Sequence, residues 1–340
     1  MRKLLNTLYI TNPEAYIYKD GLNIVVSVEQ VEAFRIPIIN IEEIVSFGYR
    51  GVSPGAMKLC VDNNVGLSFL SPNGQFLARV QGPTRGNVLL RTLQYKLQAD
   101  EALSLHLSQL FVAGKIQNYR AILCRAIRDN GPNDEIEAAA SKLDYCKRKA
   151  MKAQSMELLR GIEGEAANGY FGVFRHLILK LGGVFVFNGR NRRPPKDPVN
   201  VLLSFVYTLI SNMTVSALET IGLDPYVGFM HTLRPGRPSL ALDVMEEFRA
   251  YLGDRLVLSM INRGQITIKD FVLQGEDMTL LSDEGRKKVI TIWQERKKDM
   301  ITHPFLQEKM PIGLLPYVQA QLLARYLRGD LDDYPVFLIK

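Results

Sequence analysis

The sequence predicts an α+β fold, in which a sandwich-like N-terminal β domain precedes a larger all-α domain. Up to residue 82, Ile- and Val-rich runs alternate with turn residues, which is typical of β-strands. After residue 88, apolar residues recur every three or four positions, the period of an amphipathic helix. The period changes at Gly82–Gly86, where one proline and two glycines favour a linker. We therefore predict a β domain over 1–82, a linker over 83–88 and a helical domain over 89–340.

Turn residues divide the N-terminal part into short strands. Asp20-Gly21 separates two β-prone runs and predicts a tight hairpin. Asn73-Gly74 gives a second turn signal of the same kind, and Asp62-Asn63-Asn64 gives a third. The strands predicted on this basis lie at 15–19, 22–28, 34–47, 57–60, 66–70 and 75–80.

Leucine spacing begins the helical part. Leu89, Leu93 and Leu97 share one face, and the same period returns from Leu103 to Leu110, which fits one long helix or a broken pair. Further helices are predicted at 116–128, 136–160, 154–180, 199–221, 240–252, 285–300 and 314–328.

Composition favours a folded protein of the cytoplasm. An apolar fraction of 47% with 23% charged residues argues against disorder. No uninterrupted apolar run reaches the roughly 18–20 residues of a membrane span, and the N-terminus lacks the apolar region of a signal peptide. Cys60, Cys124 and Cys146 are odd in number and form no Cys-x-x-Cys pair, which favours reduced thiols over zinc or disulfide roles.

The positive charge is unevenly distributed. Residues 1–80 contain seven Lys/Arg and seven Asp/Glu, which leaves 35 basic and 28 acidic residues for the rest of the chain. The net charge of +7 therefore lies entirely after residue 80. Such an excess is expected for a polyanion partner such as nucleic acid, although a merely basic surface would give the same count.

Glu163 occupies an apolar position of its predicted helix. A carboxylate that faces a core costs several kcal/mol unless it is neutralised, paired or bound to a cation. A half-buried glutamate, or one paired with Arg160, would also fit the pattern. The apolar stripe around it consists of Met156, Leu159, Ala166, Tyr170 and Phe174.

Three further polar residues extend this candidate site. His231 ends the apolar segment Gly228–His231, and Asp243 and Glu246 stand three residues apart beside the core stripe of one helix. If these groups meet Glu163, they form an oxygen-rich cage with one imidazole, which suits Mg²⁺ or Mn²⁺. The alternative is that the acidic residues form a solvent-exposed turn, and we expect Glu247 to be exposed in this way.

Basic loops lie close to these acids in the sequence. Asn188–Lys196 and Arg234–Arg237 together contain six cations. Acids that hold a divalent ion, with arginines that hold phosphates, are what phosphodiester chemistry requires. The sequence contains no P-loop, nucleophile-elbow or His-Glu-x-x-His motif and no convincing dinucleotide fingerprint.

Four segments resemble the CRISPR-associated integrase, the metal-dependent endonuclease of the spacer-acquisition module. They occur in the family's order and span nearly the whole chain, and Gln81–Gly86 is most similar to type I systems. The segments are Gly161–Phe171, Pro194–Ser204, Gly228–His231 and Pro238–Arg249.

The resemblance implies specific roles for these residues. Glu163, His231 and Glu246 would be the catalytic metal ligands for Mg²⁺ or Mn²⁺, and Asp243 would lie beside the metal. Glu246 stands where some members have Asp. Whether one ion or two binds is left open, because Glu165, Asp243 and Glu247 could supply a second. The candidates for DNA-phosphate contacts are Arg190, Arg192, Arg193, Arg234 and Arg237.

The resemblance also implies a reaction and partners. The 3′-hydroxyl of a short double-stranded DNA fragment would attack a phosphodiester at a repeat border of a CRISPR array. The β domain would form a homodimer, and a small ferredoxin-like dimer would bridge two such homodimers. Two alternatives are a metal-dependent nuclease for branched or single-stranded DNA outside CRISPR and a non-enzymatic basic DNA-binding scaffold.

Overall fold

The computed structural model describes residues 6–48, 50–71, 74, 76–82, 88–179, 185–191, 195–274 and 278–339. Two sheets occupy the N-terminal part and mostly helices follow, which confirms the predicted fold class. The predicted linker lies largely at 83–87, outside the described residues, and Val88 already begins a helix.

The N-terminal sheets share one apolar core. Strands β2 (Ala15–Asp20), β3 (Asn23–Val28) and β4 (Val31–Pro37) form an antiparallel sheet, and the hairpin turn consists of Gly21 and Leu22, one residue later than predicted. In the second sheet, β1 (Thr7–Ile10), β5 (Glu43–Ser46) and β6 (Gly66–Leu70) run parallel, and β7 (Phe76–Val80) is antiparallel to β6 at the edge. Ile17 and Ile24 from the first sheet and Ile44 and Leu67 from the second pack into the same cluster.

The predicted strand at 57–60 is wrong, because these residues lie in helix α1 (Pro54–Asp62). Ser53 caps this helix by accepting a hydrogen bond from the amide of Ala56, and Pro54 fixes the first helical position. The helix connects the parallel strands β5 and β6, and such strands need a crossover connection. The predicted segment 34–47 is likewise divided between β4 and β5.

The helices after residue 88 follow the predicted periodicity with different boundaries. The first leucine pattern is a broken pair, and the segment 116–128 continues its second helix. The predicted helix 136–160 ends at Ala150, and a new helix starts after the cap Ser155. These helices are α2 (Val88–Gln98), α3 (Glu101–Asn130), α4 (Asp134–Ala150), α5 (Met156–Val173) and α6 (Pro198–Ile221). The later helices are α7 (Ser239–Phe248), α8 (Arg255–Asn262), α9 (Asp283–Lys298) and α10 (Leu315–Leu327).

The second part is not purely helical. Two short antiparallel hairpins are inserted between its later helices, and α7 continues through a π-helical segment, Arg249–Asp254, into α8. These hairpins are β8 (Phe271–Gln274) with β9 (Met278–Leu281) and β10 (Met300–Thr302) with β11 (Lys309–Pro311). Their runs of three or four residues are too short to show a period in the sequence.

Helix α6 lies in the middle of the helical part. It contacts α7, α10 and the π-helical segment, and residues on all of its sides are buried. By length and composition it is the one described helix that could cross a membrane. The sequence did not suggest this, because polar residues interrupt its apolar run. Most of its apolar window is buried inside the protein, as in a core helix.

The two parts are packed against each other. Val45, Phe47 and Leu70 of the four-stranded sheet belong to the core of the helices, and the Phe47 ring stacks on Phe205 of α6. The side chain of Lys297 on α9 donates a 3.0 Å hydrogen bond to the hydroxyl of Thr7. The site described below therefore rests on a scaffold to which both parts contribute.

Candidate active site

Three helices bring one buried cation and two carboxylates together. Lys115 of α3 contacts Glu163 of α5 through a short ion pair and Glu246 of α7 at 2.8 Å. Their side chains are 5%, 25% and 3% exposed, respectively. The two glutamates lie 83 positions apart in the sequence, yet one carboxylate oxygen of each is within ion-pair distance of the same nitrogen.

A second cation holds the other side of Glu246. Arg249, one turn further along the helix, lies 3.0 Å from Glu246 Oε1, and its guanidinium lies 4.9 Å from the centre of the Tyr207 ring. Burial alone would raise the pKa of Glu246, but the charges of Arg249 and Lys115 outweigh it and lower this pKa to about 2. Glu246 is therefore ionised throughout the physiological range.

Asp243 fixes the position of His231. Its carboxylate is fully buried and accepts hydrogen bonds from the amides of Phe229, Met230 and His231 at 2.6, 3.0 and 2.9 Å. Asp243 Oδ1 also lies 2.6 Å from His231 Nδ1. Since this carboxylate serves only as an acceptor here, Nδ1 carries a proton, and in the neutral imidazole the lone pair is therefore on Nε2.

Gly228 allows the segment Phe229–His231 to lie this close to the Asp243 carboxylate. A Cβ at this position would lie 2.6 Å from Asp243 Oδ2 and 2.7 Å from the amide of Leu240. Arg160 supports the loop from α5 by donating 2.9 Å and 3.2 Å hydrogen bonds to the carbonyl of Met230 and the hydroxyl of Thr232. The predicted pairing of Arg160 with Glu163 is therefore replaced by this contact.

The donor set fits a divalent cation of the magnesium type. Two carboxylates and an imidazole with a free lone pair are suitable ligands, and a histidine held by a carboxylate at its other nitrogen is typical of metal sites. Glu246 Oε2 is buried and accepts no well-aligned hydrogen bond, so lone pairs on this oxygen remain for an ion to bind. Among the described residues, no three His, Cys, Asp or Glu side chains lie close enough to share one ion in this arrangement, in which Lys115 stands between the two glutamates.

The predicted phosphate-binding arginines differ in their surroundings. Arg234 is exposed beside His231, and its guanidinium forms no hydrogen bond or ion pair with the part of the chain that the structure describes. Burial, followed by repulsion from Arg234, lowers the pKa of the half-buried Arg237. Arg190 donates to Asn200 Oδ1 at 2.7 Å and to Ser204 at 3.1 Å, so it also holds its loop against α6. Arg192 and Arg193 lie outside the described residues.

A groove of about 440 Å³ lies beside these groups, between β7, α6 and the segment that precedes α7. Arg79, Arg190 and Arg249 line it together with the aromatic side chains of Phe76 and Tyr226, both nearly half exposed. Cations and accessible aromatic rings are the side chains that bind phosphates and stack on bases.

Sequence reasoning missed Lys115 and Arg249. Lys115 stands between Phe111 and Tyr119 on a buried face of α3, the same anomaly that singled out Glu163, and it could have been found in the same way. The expectation that Glu247 is solvated is wrong. Its carboxylate is fully buried and accepts hydrogen bonds from the Tyr334 hydroxyl at 2.5 Å and the Phe337 amide at 2.6 Å.

Comparison with known proteins identifies the family. The family model described as "CRISPR associated protein Cas1" matches residues 8–295. The chain belongs to this family. A relative in Chlorobaculum tepidum named "CRISPR-associated endonuclease Cas1 1" is 49% identical over 341 residues, which cover 99% of each protein. The resemblance seen in the sequence is thereby confirmed, and the relationship supports a CRISPR-associated nuclease or integrase.

Solved structures show the same fold. A chain of the "Cas6-RT-Cas1--Cas2 complex" superposes with a TM-score of 0.86 at 24% identity, covering 100% of this chain and 37% of that one. The "Casposase bound to integration product" gives a TM-score of 0.83 at 23% identity, covering 97% and 93%. At these identities the likeness concerns the fold alone.

Proposed function

We propose that this Cas1-family chain is a divalent-metal-dependent DNA endonuclease and integrase that inserts short DNA fragments into a CRISPR array. The observation that carries the proposal is the meeting of Glu163 and Glu246 at one cation position, with His231, which Asp243 orients, near enough to contribute to the low pKa of Glu246. Glu163, Glu246 and His231 Nε2 would hold Mg²⁺ or Mn²⁺. Once bound, the ion would supply Lewis-acid activation of the phosphate and stabilisation of the leaving 3′-oxygen.

The chain's own residues prepare the site for a polyanion. Arg249 and Lys115 keep Glu246 ionised, and Asp243 holds His231 by Nδ1, so that Nε2 is the nitrogen left to bind an ion. On α5, a Cβ at Gly161, Gly164 or Gly172 would meet no neighbouring element within 4 Å, which leaves room for a phosphodiester backbone beside Glu163. Arg234 and Arg237, three and six residues after His231, provide positive charge in the same segment.

In this proposal the 3′-hydroxyl of the incoming fragment displaces a 3′-oxygen at the repeat border, and a new phosphodiester forms as the old one breaks. No protein nucleophile is needed. Hydrolysis uses water in place of the hydroxyl, so cleavage of branched or single-stranded DNA is expected from the same site. A non-enzymatic DNA-binding scaffold is less well supported, because it gives no reason for two acids to meet beside an oriented histidine.

The proposed partners are DNA fragments, repeat DNA, a second copy of the chain and a small ferredoxin-like protein. The structural neighbour whose title names a complex with Cas2 supports a protein partner, and the ferredoxin-like fold of that partner is what the sequence resemblance implies. The sheet β2–β3–β4 exposes several large apolar side chains, which favours a homodimer through the N-terminal part. These side chains are Tyr16, Leu22, Val31 and Phe34. We propose a cytoplasmic location on the sequence features alone.

A strand-joining assay tests the proposal. The protein, with its partner, is incubated with a 3′-hydroxyl duplex and a repeat-containing plasmid, with Mn²⁺ or with EDTA. We expect joined products that EDTA, Glu163→Gln and Glu246→Gln each abolish. Glu157→Gln is the matched control, because this glutamate is on the same helix but is exposed in its first turn. Joining that persists in EDTA would contradict metal dependence, and nicking without joining would favour the nuclease alternative.

A further inference from the structure

Lys115 is an unusual residue for a metal site. Its side chain is 5% exposed, and its ammonium contacts Glu163 Oε1 and Glu246 Oε2 at once. A lysine is almost never buried to this degree unless it is paired. The Tyr119 ring, whose centre lies 5.8 Å from the ammonium, is a further favourable neighbour for the positive charge.

The formal charges at this position balance without a metal. Glu163 and Glu246 contribute two negative charges, and Lys115 and Arg249 contribute two positive ones. The two cations are not equivalent. Arg249 contacts the other oxygen of Glu246 and lies against Tyr207, whereas Lys115 contacts one oxygen of each glutamate. Lys115 therefore neutralises one oxygen of each glutamate, Glu163 Oε1 and Glu246 Oε2.

A divalent ion and this ammonium cannot occupy the same position. Mg²⁺ binds carboxylate oxygens at about 2.0–2.1 Å, which leaves no space for a nitrogen between the same two oxygens. The two cations would also repel each other strongly in a buried site. A lysine carries its charge on a flexible four-carbon stem and can withdraw, whereas removal of either carboxylate would destroy the site.

We propose that Lys115 is an internal counter-ion that occupies the metal position in the metal-free protein and is displaced when a divalent ion binds. It thereby stabilises the metal-free fold and sets the metal concentration at which the site fills. This inference rests on the proposed metal-dependent function and adds a residue that competes with the metal. The withdrawn ammonium then becomes available to a phosphate group in the site.

The test compares Mn²⁺ binding to the full chain and to Lys115→Met by titration calorimetry. Methionine keeps much of the length and volume of lysine without its charge. We expect the variant to bind Mn²⁺ at least about tenfold more tightly, because the competitor is gone. We also expect a lower melting temperature in EDTA and a larger rise in that temperature on addition of Mn²⁺. Lys142→Met, which removes the exposed partner of Glu165, should change neither quantity.

The outcomes separate this proposal from the proposed function. If the unaltered chain binds Mn²⁺ and Lys115→Met binds it equally or more weakly, the counter-ion role is overturned while the metal site stands. If neither protein binds Mn²⁺, both proposals fail. Binding by the variant alone would support strong competition by Lys115.

A second measurement needs no variant and covers the case in which Lys115→Met does not fold. Lysine amines of the unaltered chain are acetylated with and without saturating Mn²⁺ and quantified by peptide mass spectrometry. We expect labelling of Lys115 to rise severalfold with Mn²⁺, while labelling of Lys142 stays constant. Unchanged labelling of Lys115 at saturation would overturn the displacement.

Discussion

Three acidic residues on one helix have three different environments. Asp243 faces only hydrogen-bond donors and holds a histidine, whereas Glu246, one turn later, lies between two cations. Glu247 points to a third side, where it binds the C-terminal segment. Their chemical type is nearly the same, so their roles follow from the direction in which each side chain leaves the helix.

Asp243→Asn should impair catalysis more than folding. Asparagine keeps one acceptor oxygen, so its amide nitrogen displaces the acceptor either of Phe229 and Met230 or of the two His231 nitrogens, and the support of the imidazole is weakened in both cases. We expect activity to fall about 10–100-fold, as for other changes behind a metal-binding histidine. The measurement is joining or cleavage rate at a temperature where circular dichroism shows the variant folded. Activity equal to that of the unaltered chain would contradict the positioning role.

Asp254 gives the fold a predictable pH dependence. Burial raises the pKa of Asp254 to about 6, despite its hydrogen bond from Tyr207. A carboxyl that titrates near 3.8 in the unfolded chain and near 6 in the folded one favours the protonated folded state. The contribution of Asp254 to the free energy of unfolding is therefore fully present below about pH 4 and is lost as the pH rises through 6.

Asp254→Asn should remove this pH dependence. Relative to the unaltered chain, the variant's free energy of unfolding should increase by about 2 kcal/mol between pH 4 and pH 7. Urea unfolding at both pH values measures the difference. A difference between the two proteins that is the same at both pH values would show that Asp254 does not titrate in this range.

At the scale of elements, the site depends on how closely the segment before α7 approaches that helix. Gly228 lies against the start of α7 and the Asp243 carboxylate, at distances that exclude a Cβ. The glycines of α5 are different, because Gly161 has open space around it. The same residue type thus serves close packing in one element and leaves a surface clear in the other.

Gly228→Ala should damage the site while Gly161→Ala does not destabilise the fold. At Gly228 the added methyl group would force backbone apart from backbone, which flexible side chains cannot relieve, so we expect a melting temperature several degrees lower and loss of activity. At Gly161 the alanine should stabilise the helix by about 0.5–1 kcal/mol. Thermal unfolding of both variants checks the pair. Equal melting temperatures for the two would contradict the close approach.

At the scale of the whole molecule, the C-terminal segment 334–339 ties the helical part together behind the site. Asn118 of α3 donates 2.9 Å hydrogen bonds to the carbonyls of Glu247 and Phe337, and its own oxygen accepts from the amide of Ile339. Lys115 and Glu246 are three residues and one residue away on the same two helices. The segment therefore helps to hold α3 and α7 at the separation that the site needs.

Phe337→Ala and Leu338→Ala test this role with adjacent residues. Phe337 is fully buried and contacts Phe248 and Tyr251, so its truncation should cost about 3–5 kcal/mol of folding free energy. Leu338 is 40% exposed, and its truncation should cost much less. Chemical denaturation measures both. Similar destabilisation by the two changes would indicate that the segment is not anchored by Phe337.

The sequence predicted best those elements in which the periodic pattern of apolar residues extends over many positions. Helix α6 and the helices predicted at 285–300 and 314–328 were found to within two residues at each end, because more than three turns of periodic apolar residues are unambiguous. α1 was mistaken for a strand, because the four residues Met57–Cys60 are too few to distinguish a helical period from a strand period. The hairpins of the helical part were missed for the same reason.

For the site, the sequence alone determined which residues are out of place on apolar faces and which family they resemble. Glu163 could be singled out because a carboxylate on a core stripe has an energetic cost that must be met somewhere. Only the tertiary structure decided what meets it. Lys115 is 48 positions away from Glu163, and Glu246 is 83, and no local period relates the three. Their meeting depends on how α3, α5 and α7 pack, a long-range property that a one-dimensional pattern does not contain.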